Sequence, residues 1–271
     1  MKKTIIIAAA LVAMTACNKS LIEVTPSEGY GYINLGVTTD TEMVVTKGVT
    51  TTDDLSGYTI NLQKDGVDVT GWPKVYTSIV DTDWKVPAGN YTIMVYDKAR
   101  LDDEDAIAAV YASNDNKGGK YIYGKTDVTV RAGEPSGCTV DCTVQNSKVS
   151  FASDSQFRDV FASADVEVAE KEGNRSLSAV VGESHLDANT VYFEPETLTW
   201  TLYATTELDG QARKYVGEVS MVKAKWSQVT FSTGNTDGQI NVTINVDGEM
   251  QIIQLEPVTV DPFEGEIVER Q

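Results

Sequence analysis

From about residue 30 to residue 255, the chain alternates apolar and polar residues in short runs. The clearest run, residues 240–246, alternates isoleucine or valine with asparagine or threonine. A period of two residues is typical of β-strands that bury one face. Asp65 with Gly66, and Asp247 with Gly248, stand between such runs, and Asp-Gly favours a two-residue hairpin turn. The pattern predicts an all-β protein built from many short strands.

The strand pattern occurs twice in the same order. The first set consists of the runs around Tyr32, Tyr58, Tyr91, Tyr123 and Cys138. We match them in that order to the runs at 148–151, 166–169, 198–203, 215–219 and 239–246. Turn signals between the runs, without long helical segments, argue against βαβ units. We therefore predict two consecutive immunoglobulin- or transthyretin-like antiparallel β-sandwich domains, over residues 30–145 and 146–260.

Two segments have helical spacing instead. Residues 154–161 begin with Asp154, a suitable N-cap, and place apolar residues on one helical face. Residues 102–111 begin with four acids, and a short helix and a solvated loop fit this segment equally well. Near the C-terminus, Ile252 and Ile253 interrupt the alternation, so we expect a bulge there or a strand buried on both faces.

The N-terminus has the pattern of a bacterial secretory signal. Two lysines precede a short apolar run, and small residues then lead to Cys17. The run is too short to span a bilayer permanently, and the cysteine after small residues resembles a lipobox. We expect a signal peptide over 1–16, lipidation of the Cys17 thiol with acyl chains such as palmitate, and a tether over 17–29. An ordinary signal peptide is the alternative. Residues 261–271 read as a frayed acidic tail.

Composition limits the class of partner. The chain has 40 acidic and 22 basic residues and a formal net charge of −18. Nucleic acid binding requires Lys and Arg to neutralise phosphates, so this surface argues against it. The same charge disfavours docking on anionic lipid, so the acyl chains on Cys17 would supply the membrane attachment. Whether the protein faces the periplasm or the cell surface is left open.

Few residues suggest chemistry. Cys138 and Cys142 would point to one face of a strand, too far apart for a disulfide, and we read them as buried thiols. His185, the only histidine, follows Ser184 in a loop, where adjacency alone does not make a catalytic pair. The acids at 102–105 lack the spacing of a calcium loop, although calcium binding there stays open. We expect no metal, no cofactor and no catalytic residues.

Aromatic residues are the candidates for ligand contact. Trp72, in a Gly-Trp-Pro loop, has little reason to be buried, and Tyr76 lies close by in sequence. Tyr111, Tyr121 and Tyr123 also fall in or beside loops of the first domain. We assign to the core the aromatic side chains of Trp84, Tyr91, Trp200 and Tyr203.

Several segments together resemble a known family. They are 86–92, Tyr123 with Gly124, 128–130, and 142–149 followed by Phe157 and Phe161. Their order resembles a family of Bacteroidota lipoproteins that is defined only by a domain of unknown function. The layout is also similar to that of anchor and accessory subunits of fimbriae in that phylum. The resemblance implies a non-enzymatic outer-membrane lipoprotein of fimbrial or adhesive type.

We therefore expect a binding or structural protein of the cell envelope that offers loops or a sheet edge to a protein partner. A glycan-binding lipoprotein of a polysaccharide-uptake system, using Trp72, is the alternative. An enzyme is the third hypothesis, although no pair of carboxylates or other catalytic set stands out in the sequence.

Replacing Cys17 with alanine should abolish lipidation, because only the thiol of the lipobox cysteine can accept the lipid. Metabolic labelling with palmitate in the native host measures this. Wild type and a Cys138→Ala control should incorporate label, whereas Cys17→Ala should not. Label retained by Cys17→Ala would show that the lipid is attached elsewhere.

Overall fold

The computed structural model describes residues 29–40, 43, 54–78, 84–173, 175–208, 210–233, 240–246 and 249–255. The predicted signal peptide, Cys17, all of the tether but Gly29, and the acidic tail lie outside these residues.

The first half of the chain forms one eight-stranded sheet, sheet A, and a helix, α1. The strands are β1 Tyr30–Asp40, β2 Thr59–Lys64, β3 Val67–Asp68, β4 Lys74–Val75, β5 Trp84–Pro87, β6 Gly89–Tyr96, β7 Ile122–Val130 and β8 Pro135–Val144. The helix α1 is Glu104–Ala112. Neighbours in sheet A follow the order β3-β2-β6-β7-β8-β1-β5, and β4 also pairs with β2.

Sheet A bends into two layers around a common core. β7 and β8 pair at only two positions, Ile122 with Val144 and Tyr123 with Thr143. On one side of this short link lie β2, β6 and β7, and on the other lie β8, β1 and β5. The buried core includes residues of both layers, among them Ile33, Ile60, Ile93 and Val140. The first half is therefore a β-sandwich whose two layers are continuous at one edge.

The second half forms two separate sheets and a helix, α2. Its strands are β9 Ser147–Ser153, β10 Phe161–Glu170, β11 Ser176–Ala179, β12 Val181–Gly182, β13 Val191–Phe193, β14 Thr197–Thr206, β15 Ala212–Ser220, β16 Trp226–Thr233, β17 Ile240–Val246 and β18 Glu249–Leu255. The helix α2 is Ser155–Val160. Sheet B has the order β12-β9-β16-β17-β18, with β13 also on β9, and sheet C has the order β11-β10-β14-β15.

Aromatic packing dominates the core between sheets B and C. Trp200 from sheet C meets Phe231 from sheet B edge to face, with ring centroids 5.3 Å apart. Phe157 of α2 stacks on Phe161 with centroids 4.5 Å apart, so the short helix closes one end of this core. Offset and edge-to-face rings add to the free energy gained from area burial alone. The predicted all-β fold of two consecutive sandwiches is confirmed.

The two sandwiches share a strand order, with one correction to the predicted match. In the first, β1 runs parallel to β8, and in the second β9 runs parallel to β16. Accordingly β16, Trp226–Thr233, corresponds to the strand around Cys138. The prediction that residues 239–246 match that strand was wrong. Those residues form β17, which with β18 makes a hairpin that follows the five matched strands of the second sandwich.

Local predictions are mostly confirmed. Asp154 caps α2 by accepting a hydrogen bond from the Phe157 N–H at 2.8 Å. Residues 102–111 are mainly helical rather than a loop, since Asp103 caps α1 in the same way. Asp65 and Gly66 both have positive φ and connect β2 to β3, as an Asp-Gly turn requires.

Two predictions about burial and register were wrong. β17 and β18 pair without interruption from Val246 opposite Glu249 to Ile240 opposite Leu255, so no bulge occurs at Ile252. Ile252 is exposed and lies on the outer face of an edge strand. Tyr203 was assigned to the core but is 42% exposed, because the inward positions of β14 are its even-numbered residues.

Gln145 and Asn146 alone separate β8 from β9, and both side chains hold the junction between the sandwiches. The side-chain amide of Asn146 donates to the Gly119 carbonyl at 2.8 Å. The backbone carbonyl of Asn146 accepts a hydrogen bond from the Ala224 N–H at 2.9 Å. Lys223 donates to the Gln145 side-chain oxygen at 2.6 Å. Both junction residues are buried, so these hydrogen bonds satisfy polar groups that are removed from water.

Arg175 makes a second contact between the sandwiches. Its guanidinium donates to the backbone carbonyls of Tyr192, Asn116 and Tyr111, the last in the final turn of α1. The Cζ atom of Arg175 lies 4.5 Å from the Phe193 ring centroid and 5.2 Å from the Tyr111 ring centroid. Cations favour the C-terminal end of a helix, where carbonyls lack intrahelical partners. Burial lowers the pKa of Arg175 from its ordinary value.

Replacing Gly217 with alanine should destabilise the second sandwich, because a Cβ there would overlap the indole of the buried Trp200. We expect a loss of about 1–3 kcal/mol in the free energy of unfolding, which urea titration measures. Gly137→Ala is the control, since no heavy atom lies within 4 Å of its added Cβ. An equal effect of both substitutions would contradict the packing.

Candidate functional site

The predicted ligand residues Trp72 and Tyr76 lie on either side of β4 and are only half-exposed. The Trp72 ring meets Trp84 of β5 edge to face, with centroids 4.9 Å apart, and the Lys74 ammonium lies 5.1 Å from its centroid. The Tyr76 N–H donates to the Tyr58 carbonyl at 2.8 Å. Both side chains pack against the core of the first sandwich. Trp72 is thus half-exposed, as its loop position suggested, but its ring is partly covered by its own fold, and a role in ligand contact stays a prediction.

The other aromatic candidates of the first domain are core residues. Tyr111, Tyr121 and Tyr123 are all buried. Tyr111 and Tyr121 pack edge to face at 6.3 Å, beside the junction between the sandwiches. Burial and the nearby Glu194 carboxylate raise the pKa of Tyr121 to about 12. These rings stabilise the fold and offer no open face for stacking on a ligand.

His185 lies in the loop after β12, as the sequence suggested, and its side chain is half-buried against the outer face of sheet B. Its Nδ1 lies 2.8 Å from the Ser150 hydroxyl, and its Nε2 lies 2.9 Å from that of Thr230. The Trp226 indole N–H donates to the Ser150 oxygen at 2.8 Å, which leaves the Ser150 hydroxyl proton for Nδ1. The imidazole is then neutral, with its proton on Nε2 donated to Thr230.

This serine–histidine contact is structural. Ser150 is fully buried beneath His185 and Trp226, so no substrate carbonyl could approach its hydroxyl. A nucleophile must be accessible and its base must be oriented by a third group. Here the second imidazole nitrogen meets a threonine, and Ser184, the neighbour in sequence, makes no such contact with His185.

The acids at 102–105 are partly committed to local structure. Asp102 forms an ion pair with Arg100 at 2.5 Å, which lowers the pKa of that carboxyl, and Arg100 also contacts Asp68 at 3.1 Å. Asp103 caps α1. Nowhere in the described part of the chain do three or more His, Cys, Asp or Glu side chains converge as metal ligands would.

The thiols follow the predicted strand. Cys138 and Cys142 both lie on β8 and are free, and Cys142 is buried whereas Cys138 is only half-buried. Burial raises the pKa of the Cys142 thiol to about 12, so it is not a reactive thiolate near neutral pH.

The most exposed apolar strand of the described residues is β18, which the sequence analysis did not single out as a site. Within the described residues β18 pairs only with β17, so its other edge is free. Met250 is 72% exposed and Ile252 is 71% exposed. An open cleft of about 450 Å³ adjoins the strand, and its lining includes Val222, Ile244 and Gln251.

The other strands that end a sheet are protected. β3, β4 and β12 have two residues each, β13 has three, and β11 has four. β5 carries Lys85 and Pro87, and β15 carries Arg213, Lys214 and Glu218. Short length, charge and proline are the usual protections against pairing with another chain. β18 has seven residues, no lysine or proline, and a single charge at Glu249. That composition is the signal in the sequence that could have identified it.

The outward side chains of β16 to β18, the three strands of sheet B nearest this edge, include no charged residue. Among them are Trp226, Gln228, Thr230, Ser232, Asn241, Thr243, Asn245, Met250 and Ile252. The outer face of sheet C, by contrast, includes Asp165, Glu167, Lys214 and Glu218. Depletion of charge is typical of the centres of protein interfaces. In a chain with a net charge of −18, this face and edge are the strongest candidate for a docking surface among the described residues.

The structure holds no helix, among the residues that it describes, of the length and apolar character needed to cross a bilayer.

His185 should make the protein less stable as the pH falls. Burial lowers the pKa of the folded imidazole below 6.5, so the unfolded chain takes up a proton first. The free energy of unfolding should therefore fall between about pH 7 and pH 5, and the fall should be smaller in His185→Gln. Urea titrations across this range measure it.

Two half-buried carboxyls work in the opposite direction. Burial raises the pKa of Asp97 and of Glu196, so folding gains stability from them in acid. Because both are present in wild type and variant, the difference between the two pH profiles isolates the imidazole. Parallel profiles would contradict a buried neutral His185.

Solved structures of similar layout come from the Bacteroidota. A fimbrial assembly protein from Parabacteroides distasonis is 11% identical, with a TM-score of 0.48 over 84% of this chain and 99% of that one. A candidate cell adhesion protein from Bacteroides eggerthii is 11% identical, with a TM-score of 0.45 over 83% and 97%. A candidate polysaccharide-binding protein from Bacteroides thetaiotaomicron is 12% identical, with a TM-score of 0.42 over 83% and 98%.

No curated protein matches the chain in sequence. Residues 29–262 match the family described as "Domain of unknown function (DUF4493)", which covers both sandwiches and their junction. The chain therefore belongs to the DUF4493 family.

Proposed function

We propose that this chain is a non-enzymatic, lipid-anchored protein of the outer membrane that holds a protein partner by strand addition at β18. The partner contributes an extended segment, which pairs with the free edge of sheet B. The function is structural or adhesive, of the fimbrial type that the sequence resemblance implies.

The free edge of β18 carries this proposal. An edge strand presents unpaired backbone N–H and C=O groups, which another strand can satisfy. Main-chain hydrogen bonds then give affinity, and exposed side chains such as Met250 and Ile252 give specificity. An exposed edge of seven residues with a single charge is an aggregation hazard in a free protein. A partner strand removes that hazard, and this is the physical reason to expect one.

The membrane anchor rests on Cys17 and on charge. A body with a net charge of −18 is repelled by an anionic membrane surface, so attachment requires the acyl chains. A lipid anchor confines the protein to two dimensions, which raises the effective concentration of any partner in the same membrane.

The residues with catalytic potential support a non-enzymatic role. His185 and Ser150 are committed to each other and to the outer face of sheet B. The Cys142 thiol is buried and protonated near neutral pH.

The glycan alternative depended on an open Trp72 ring. Trp84 and Lys74 both contact that ring, so its contacts are largely with its own fold. We therefore favour the β18 edge over the Trp72 loop as the binding site.

Site-specific photo-crosslinking tests the proposal in intact cells. A benzophenone amino acid at Ile252 should give a discrete crosslinked product, because that side chain flanks the partner strand. The same amino acid at Tyr203, which is 42% exposed on sheet C, is the control and should give none. Absence of a product specific to position 252 would refute strand addition at β18, and mass spectrometry of the product identifies the partner.

A further inference from the structure

We propose that the strand which pairs with β18 belongs to a second copy of this chain, in an antiparallel register that places Ile252 opposite Ile252. This rests on the proposed function of the β18 edge, and it names the partner. Sheet B then continues across a two-fold axis into the second copy, as an isologous interface requires.

The residues of β18 whose backbone N–H and C=O groups point to the free edge favour this register. Val246 pairs with Glu249, and only two residues separate them in sequence. In a hairpin of this length, the residues that flank the two-residue loop form a hydrogen-bonded pair, so Val246 and Glu249 form such a pair. Hydrogen-bonded pairs alternate along an antiparallel ladder, so the backbone groups of Gln251 and Ile253 also point to β17. The N–H and C=O groups of Met250, Ile252 and Gln254 then point to the free edge.

A symmetric pair centred on Ile252 uses all of these groups. Ile252 would exchange two hydrogen bonds with Ile252 of the second copy. Met250 would face Gln254 of the second copy, and Gln254 would face Met250, with two hydrogen bonds each. A symmetric register centred on Gln251 or Ile253 would instead bring together residues whose backbone groups already pair with β17.

Charge also favours a second copy at this edge rather than elsewhere. Two chains of net charge −18 repel each other, so they can meet only where charge is sparse. The one charged residue of β18, Glu249, would face Leu255 of the second copy and not another glutamate. The adjoining outer face of sheet B is uncharged on β16 and β17 as well. β15, the long edge strand of sheet C, carries Arg213, Lys214 and Glu218 instead.

The apolar side chains fit the same arrangement. Met250 and Ile252 lie on one face of the strand, and the symmetric register sets the two Ile252 side chains side by side across the new strand pair. Cross-strand pairs of β-branched residues stabilise antiparallel sheets. Both isoleucines then lose exposed surface that each single chain presents to water.

Cysteine crosslinking in the native membrane tests the register. Ile252→Cys should form a disulfide-linked dimer under mild oxidation, because opposite residues have Cα atoms within disulfide range. Met250→Cys is the matched control, since Met250 is as exposed as Ile252 but faces Gln254. The Met250 residues of the two copies would lie four residues apart along the strand pair, about 13 Å. We expect about tenfold more dimer from Ile252→Cys, given this difference in distance.

The native thiols do not interfere with this test. Cys142 is buried and Cys138 half-buried, and burial raises the pKa of both. Wild type, oxidised in parallel, should therefore give no disulfide-linked dimer on denaturing, non-reducing gels.

A second variant tests the pairing without a crosslink. Ile252→Pro removes an N–H that points to the free edge and leaves the β17 ladder intact, because proline is tolerated at that side of an edge strand. It should convert the detergent-solubilised dimer to monomer in sedimentation, whereas Ile252→Thr should not.

Three outcomes overturn the inference. They are a monomeric wild-type chain in the membrane, equal dimer from Met250→Cys and Ile252→Cys, and a position-252 photoproduct that contains only a different protein. The last would leave strand addition at β18 standing and refute only the second copy. Loss of every position-252 product would refute both.

Discussion

Each sandwich is held together by a parallel strand pair that joins its first strand to a strand far along the chain. β1 pairs with β8, and β9 pairs with β16. The strands β2 to β7 all lie between β1 and β8 in sequence. The layer that contains β8, β1 and β5 is therefore complete only once β1 has paired with β8. Such a long-range contact costs loop-closure entropy before it yields any packing energy. Burial of apolar side chains on these strands, such as Val140 of β8 and Val229 of β16, offsets this loss of entropy.

The same pair fixes how the two halves meet. β8 ends beside β1 and leads into β9 after only two residues, so the start of the second sandwich is set by the end of the first. Gln145 and Asn146 are then buried, and the loop before β16 and the segment after α1 supply hydrogen bonds to most of their polar groups, although the Asn146 side-chain oxygen has no partner among the described residues. Arg175 caps the end of α1 from the other side. Most of the junction's hydrogen bonds go to backbone carbonyls, which depend on the position of the chain more than on side-chain identity, and the Lys223–Gln145 bond joins two side chains.

The two sandwiches differ in how they end, and this difference leaves the edge of β18 that we propose as the docking site. In the first, β7 links to β8 and closes one side of the sandwich. In the second, β15 does not pair with β16, and the β17–β18 hairpin extends sheet B instead. The second sandwich therefore has two long edges, β15 and β18, and only β15 carries several charges. The free edge of the last described strand, β18, therefore lies outside both cores, and pairing at it would leave the packing of both cores unchanged.

The sequence by itself predicted most of the long strands, the Asp-Gly turn after β2 and the helix α2, because these follow from local periodicity and capping. It left α1 open between a helix and a loop, and it did not identify β16. The alternation at 240–246, the Asp-Gly turn at Asp65 and the cap at Asp154 each depend on residues within a few positions of one another. It also determined the order of strands in both halves, apart from one match. The anchor at Cys17 and the limits of the two domains stay predictions.

Only the tertiary structure decided which faces and edges stay open. Trp72 is half-covered because Trp84 and Lys74 reach it from elsewhere in the first sandwich. His185 is held by Ser150 and Thr230 of two different strands. Tyr203 and Ile252 have the residue type of a core position, yet the register of β14 and the edge position of β18 turn them outward. Exposure depends on which strands become neighbours, and that is set by contacts between residues far apart in the chain, which no local pattern records.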